Sequence, residues 1–250
     1  MTMLDKILYL HSDFEEILVN PVLNRLGHTI GWEATAYLDN GHPISGGTHE
    51  SQDLAKRICI AELFERGLFQ QICSVRESAE QFLLNELPTT CGFASGFDQI
   101  KVRERAIAEG IERWAWSKWI DEGFLVEKQT KKPVLTDLAF EFFQRFEDSK
   151  FYLHSISFLD KRYVFAVFLG FTKKGVFAGS RVCFDGDCPW EHAIIESYRN
   201  FHNSNLAKKE EQVMLPIEMI RARAIYFGSH KKEALAQIGR ATKTEWETPE

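Results

Sequence analysis

The sequence predicts a mixed α+β fold, and three observations predict it. Long segments carry apolar residues at helical spacing behind capping residues, at Ser51 or Asp53, at Asp98, and at Asp187 or Pro189. Before the last of these helices, KFYLHSISF, RYVFAVFLGF and GVFAGSRVCF are rich in β-branched and aromatic residues and read as an antiparallel or mixed meander. At 250 residues, 44% hydrophobic and 26% charged, the chain has ample apolar material for a core, and no low-complexity linker divides it. Residues 1–250 are therefore read as a single domain.

In chain order, Phe14, Ile17, Leu18, Val22, Leu23 and Leu26 fall mostly at helical spacing and predict a helix from Asp13 to Leu26. Gly27 would be its C-cap and Pro21 a kink. Thr29 to Leu38 alternates as a strand does, and the Asn40-Gly41 turn leads into a glycine-bearing loop, HPISGGTHES. A long helix follows to about Ser74, then a second helical piece from Ala79 to Leu87 that stops at Pro88. After the small-residue loop TTCGFASG, the Asp98-capped helix reaches about Asp121 and grows rich in tryptophan at Trp114, Trp116 and Trp119. Core packing is the expected role of these indoles; because the three cannot all face one core, a pocket or a subunit contact is the alternative for one of them. LTDLAFEFFQRF is a short amphipathic helix, and the last long helix runs to about Leu206. Helices are expected again near Leu215 to Ile225 and Lys231 to Ile238.

The formal charge of -6 and a pI near 5.8 argue against a chain built to grip a phosphate backbone, so no nucleic-acid partner is expected. No stretch approaches the ~18–20 apolar residues of a membrane span, and MTMLDKILYLHSDFEE turns acidic too soon for a signal peptide. The expected location is the cytoplasm. The five cysteines include no CxxC pair and fit buried reduced thiols. His42 and His49 flank the first glycine segment, but no zinc-type cluster is legible, and Asp187 reads as a helix cap better than as a metal ligand.

The most informative feature is a repeat. Ile60 to Arg66 (IAELFER) and Ile107 to Arg113 (IAEGIER) share the pattern I-A-E-x-x-E-R, with a weaker third copy in Ala193 to Arg199, where Glu196 is kept. Each copy follows a glycine-bearing segment: Gly46-Gly47, Gly92 to Gly96, and Gly179-Ser180. Glutamates three apart share a helix face, so Glu62 with Glu65, and Glu109 with Glu112, each present two carboxylates side by side. Such pairs suit a hard divalent cation that also meets substrate phosphates, with Arg66 and Arg113 placed to reach phosphate oxygens.

The stretches GGTHESQDLAKRICIAELFER and PTTCGFASGFDQIKVRERAIAEGIERWAW resemble the two central signatures of the YcaO family, over about Ser45 to Trp119 and more loosely from Val164 to Asn200. The resemblance implies a mixed or antiparallel sheet with long helices lining a nucleotide site. It also implies ATP and Mg2+ as cofactors, bound without a Walker-type loop, and none of the form GxxxxGK[ST] occurs here. On this reading Glu62, Glu65, Glu109, Glu112 and Glu196 hold magnesium and phosphate, Arg113 meets the phosphates, and Ser45 and Gly46 contribute from the first glycine segment. The implied chemistry is ATP-dependent activation of a peptide backbone amide, as in cyclodehydratases and thioamide- or amidine-forming relatives of ribosomal-peptide modification. The implied partners are a peptide or protein substrate and a substrate-delivering protein, with a homodimer as one arrangement.

The chain departs from the family pattern at several positions. Ser45-Gly46-Gly47-Thr48 stands where members often read Gly-Lys-Gly, Cys91 where asparagine is expected, and Arg199 where glutamine is common. The stretch before Ser45 is short for the family, and the proline-rich tail of the azoline-forming branch is replaced by TKTEWETPE. These departures define the alternative: a catalytically degenerate YcaO-like scaffold or substrate-binding protein in a peptide-modification complex. A third reading, an unrelated metal-dependent hydrolase, predicts metal binding without nucleotide.

Overall fold

The computed structural model describes residues 11–75, 92–96, 98–173, 175–184, 188–207 and 226–246. The chain divides into two compact units, Met1–Ala106 and Ile107–Glu250. The helices expected at Ala79 to Leu87 and at Leu215 to Ile225, and the cap at Asp187, lie outside the described residues.

The first unit holds an antiparallel sheet in the order β1 (Phe14–Leu23), β2 (Thr29–Leu38), β3 (Pro43–His49). β1 corrects the expected helix at Asp13 to Leu26. Its β-branched Ile17, Val19 and Val22 lose side-chain freedom in a helix but fit a pleated strand, and Phe14, Ile17 and Val19 pack on the small core around Ala34, Ala36, Ala55, Cys59 and Leu63. Pro21 is tolerated because β1 is an outer strand of this sheet. Gly27 is a hairpin-turn residue at φ +82°, and Asn24 Oδ1 accepts hydrogen bonds from the Leu26 and His28 amides beside it.

The segment expected to be a glycine loop is also a strand. β3 pairs with β2 from Tyr37↔Pro43 to Trp32↔His49, which satisfies its backbone in the ladder. A Cβ at Gly47 would overlap the Ala55 carbonyl and lie 2.7 Å from the Cys59 amide of helix α1 (Gln52–Ser74). Glycine is needed here so that strand and helix backbones can touch, and not to free a loop for phosphate. Ser51 caps α1 as expected.

Helix α2 (Gln99–Trp116) starts as expected, with Asp98 Oδ1 accepting from the Ile100 and Lys101 amides. The boundary between the units falls within it. In the second unit it continues as a π-helical turn, Ser117–Asp121, to the predicted end.

That unit carries an antiparallel sheet in the order β4 (Glu127–Gln129), β5 (Asp148–Phe158), β6 (Lys161–Phe171), β7 (Val176–Phe184). β5, β6 and β7 are the predicted meander; β4, only EKQ, carries no apolar signal that could reveal it. β6 is buried on both faces. Phe165, Val167 and Leu169 join Ile111, Ala115 and Trp119 in one core, while Phe168 meets Phe146 and Phe151 on the other side. That second side is covered by α3 (Asp137–Phe143, capped by Thr136) and α4 (Trp190–Ala207), joined through Phe142 stacked on Tyr198 at 4.4 Å. Helix α5 (Lys231–Ile238) forms where expected and adds Ala234 to the first core.

Candidate functional site

In the first unit the candidate ligands lie where β3 meets α1. Glu62 Oε2 accepts the Gly46 amide at 2.9 Å, and its Oε1 is ion-paired with Arg66 one turn on. Glu65, three residues further, is buried, with Arg105 Nη2 at 4.0 Å from its Oε2. Ser45 is also buried and donates to the Cys59 carbonyl at 2.9 Å, so its hydroxyl faces the helix. Gly46, the other residue expected to meet phosphate from this segment, gives its N–H to Glu62 instead. Ser95, from the second glycine-bearing segment, donates to the Ala61 carbonyl. His49 Nδ1 accepts the Ser51 amide at 2.9 Å and thereby supports the start of α1.

In the second unit α2, β7 and α4 bring Glu109, Glu112, Arg113 and Glu196 together. Glu112 is only 7% exposed. Its Oε1 accepts the Ser180 hydroxyl at 2.7 Å and its Oε2 the Val182 amide at 3.1 Å. The Ser180 amide donates to Glu196 Oε2 at 2.6 Å, so one serine serves two carboxylates. Arg113 lies 3.8 Å from both Glu109 Oε1 and Glu112 Oε1. Burial, and then the negative charge of Glu112, push the Glu196 carboxyl up to about 7, against the opposing pull of the Ser180 amide, Arg113 and Arg199.

The two units use one device. In each, a strand amide is donated to a helix glutamate sixteen residues further on, Gly46 to Glu62 and Ser180 to Glu196. In each, a glycine on the strand lets the helix backbone approach: a Cβ at Gly179 would overlap the Ala193 carbonyl and lie 2.5 Å from the Ser197 amide. An ionised carboxylate held by fixed donors keeps its orientation, and its unused lone pairs stay available to a further ligand.

The sequence reading did not single out Ser180 or Trp116 as site residues. Trp116 Nε1 donates to Ser180 Oγ at 2.8 Å, while Trp119 lies in the core. The only local signal was the Gly-Ser pair ahead of the third helix. Among the described residues no group of three or more His, Cys, Asp or Glu side chains stands close enough to hold a metal alone, and no helix is long and apolar enough to cross a membrane. Cys91, Asp185 and Asp187 lie outside the described residues.

Helix glutamates that accept strand amides and stand beside arginines define a class of α+β protein with carboxylate oxygens where helices pack against antiparallel sheets. Within that class the fold is YcaO-like. A YcaO from Methanopyrus kandleri, solved with AMPPCP and Mg2+, matches 92% of this chain and 75% of its own at a TM-score of 0.57 and 13% identity. A chain of the E. coli microcin synthetase McbBCD complex, solved with pro-MccB17 bound, matches 93% of this chain and 75% of its own at a TM-score of 0.63 and 12% identity. No protein-family model matches the sequence, and the search of curated proteins gives no match.

Proposed function

We propose that the protein binds ATP with magnesium and uses them to activate a backbone amide of a peptide or protein substrate, as a short YcaO-like domain spanning residues 1–250. The observation that carries this reading is the set of helix glutamates held by neighbouring strands, Glu62 in the first unit and Glu112 and Glu196 in the second. The donor set fits magnesium, which takes oxygen ligands and is commonly held by one or two carboxylates while phosphates and water supply the rest. Burial, and after it the negative charge of Glu112, raise the Glu196 carboxyl, and the second of these is what an added cation would relieve.

On this reading Glu62, Glu65, Glu109, Glu112 and Glu196 are the carboxylates that hold metal and phosphate. Arg113 exchanges part of its pairing with Glu109 and Glu112 for phosphate oxygens. Magnesium, when bound, would offset the charge of the transferring phosphoryl group. Ser45 and Gly46 complete the set from the strand, with the Gly46 amide on Glu62 and the Ser45 hydroxyl on the Cys59 carbonyl of α1. The likeness to a chain of the McbBCD complex, solved with pro-MccB17 bound, supports a peptide substrate and partner proteins for this chain too; a delivering role for a partner, a homodimer and a cytoplasmic location are further parts of the proposal.

Calorimetric titration of ATP, with and without magnesium, into the wild type and into Glu62→Ala and Glu109→Ala tests the reading. Magnesium-dependent binding that both substitutions abolish is expected. No binding by the wild type would overturn it and favour the catalytically degenerate scaffold. That second reading draws on one observation: the Gly46 amide, expected at phosphate, is already occupied by Glu62.

A further inference from the structure

Trp116 Nε1, Ser180 Oγ and Glu112 Oε1 form a chain with links of 2.8 and 2.7 Å. Its direction is set by chemistry. An indole N–H can only donate, so the serine oxygen accepts from Trp116. The single serine proton is then left for Glu112 Oε1, which accepts it. The links span 64 and 68 residues of sequence, so neither is a by-product of local geometry.

The indole that starts the chain is itself fixed. Trp116 stacks on Trp119 at 5.4 Å and meets Phe165 edge-on at 5.9 Å, and both of those rings are buried. It is the last residue of α2 before the π-helical turn, where the Glu122 amide reaches the Ser117 carbonyl five residues back. A packed tryptophan needs some partner for its N–H, and any backbone carbonyl could serve. Here the contact ends on a carboxylate that is 7% exposed and also held by the Val182 amide.

We propose that Trp116 and Ser180 are positioning residues that lock the Glu112 carboxylate in one orientation, so that its remaining lone pairs face a bound magnesium–nucleotide complex. The inference rests on reading Glu112 as a metal and phosphate ligand, and adds two residues that act through it. Cooperative polarisation along the chain, indole to hydroxyl to carboxylate, would strengthen the serine–glutamate bond over an isolated one.

The test titrates magnesium with the non-hydrolysable analogue AMPPCP into the full chain as wild type, Glu112→Gln, Trp116→Phe, Ser180→Ala and the Trp116→Phe/Ser180→Ala double variant. Trp116→Phe keeps an aromatic ring and removes the N–H; it should weaken binding roughly three- to tenfold, the range of one hydrogen bond. Ser180→Ala should weaken it at least as much, and the double variant no more than Ser180→Ala alone, because both act through one chain. In parallel, the Trp116 indole N–H resonance should shift when the wild type takes up the complex and stay still in Ser180→Ala. Melting curves recorded beside each titration identify any loss that comes from unfolding; the indole resonance in folded protein then decides. Binding lost in Glu112→Gln but unchanged in Trp116→Phe and Ser180→Ala would overturn this inference and leave the functional reading intact. Absence of binding by the wild type would overturn both.

Discussion

At the scale of single residues, Gly47 and Gly179 show how a position that invites a functional reading can be fixed by packing. The YcaO pattern suggests a lysine in the first glycine segment, and restoring one at Gly47 looks like a route to a stronger phosphate contact. The structure predicts the opposite, since any Cβ there overlaps the Ala55 carbonyl and presses on the Cys59 amide, both backbone atoms that cannot rotate away. Gly47→Lys should lower stability by about 3 kcal/mol, at the upper end of overpacking costs, with no gain in nucleotide affinity. Urea unfolding followed by circular dichroism would measure it, and a variant as stable as the wild type would show that β3 and α1 can separate. Gly179→Ala is the matching experiment in the second unit, where the obstacles are the Ala193 carbonyl and the Ser197 amide. The candidate carboxylates Glu62, Glu65, Glu109 and Glu112 were legible residue by residue, because they stand in a recurring local pattern. Ser180 and Trp116 were not, since their relation to Glu112 exists only after β7 has docked beside α2.

At the scale of elements, helices were legible wherever a cap coincided with the start of a 3.6-residue period, as at Ser51 and Asp98. β1 was misread because Phe14, Ile17 and Leu18 suit both a helix face and a twisted strand, and only pairing with β2 decides between them. The β5–β6 turn was legible as the gap between two strand runs, though its residues are not the usual ones. Its loop residues are Leu159 and Asp160, both with positive φ, at +48° and +58°, where such a turn ordinarily selects asparagine and glycine. Leu159 is 66% exposed, so its side chain gains little to offset the strained backbone. Replacing the pair, Leu159→Asn with Asp160→Gly, should stabilise the protein by about 1 kcal/mol and raise the melting temperature by roughly 2–4 °C for a chain of this size. Calorimetry would check this, and a fall in melting temperature would mean that Leu159 makes a contact worth more than the backbone strain.

At the scale of the whole molecule, the balance of buried charge sets how stability varies with pH. Glu196 has its carboxyl raised from 4.5 to about 7 by burial and by Glu112. Below pH 4.5 it is protonated in both the folded and the unfolded chain, so it carries no penalty there. As pH rises through 7, the folded protein must ionise a group that its surroundings disfavour, and stability is lost progressively across that window. His154 works in the opposite sense. Burial against Trp246 lowers its pKa below 6.5, with Glu127 pulling the other way, so its contribution is present above 6.5 and is lost as the solution becomes more acidic. Glu196→Gln separates the two, because glutamine keeps an acceptor for the Ser180 amide but cannot ionise. The variant should match the wild type near pH 4 and exceed it by about 3 kcal/mol at pH 8, the order that a rise from 4.5 to about 7 implies. Denaturant unfolding of both proteins across that range is the measurement. A constant difference at all pH values would show that the charge of Glu196 is already met in the folded protein, and that repulsion from Glu112 does not govern its titration.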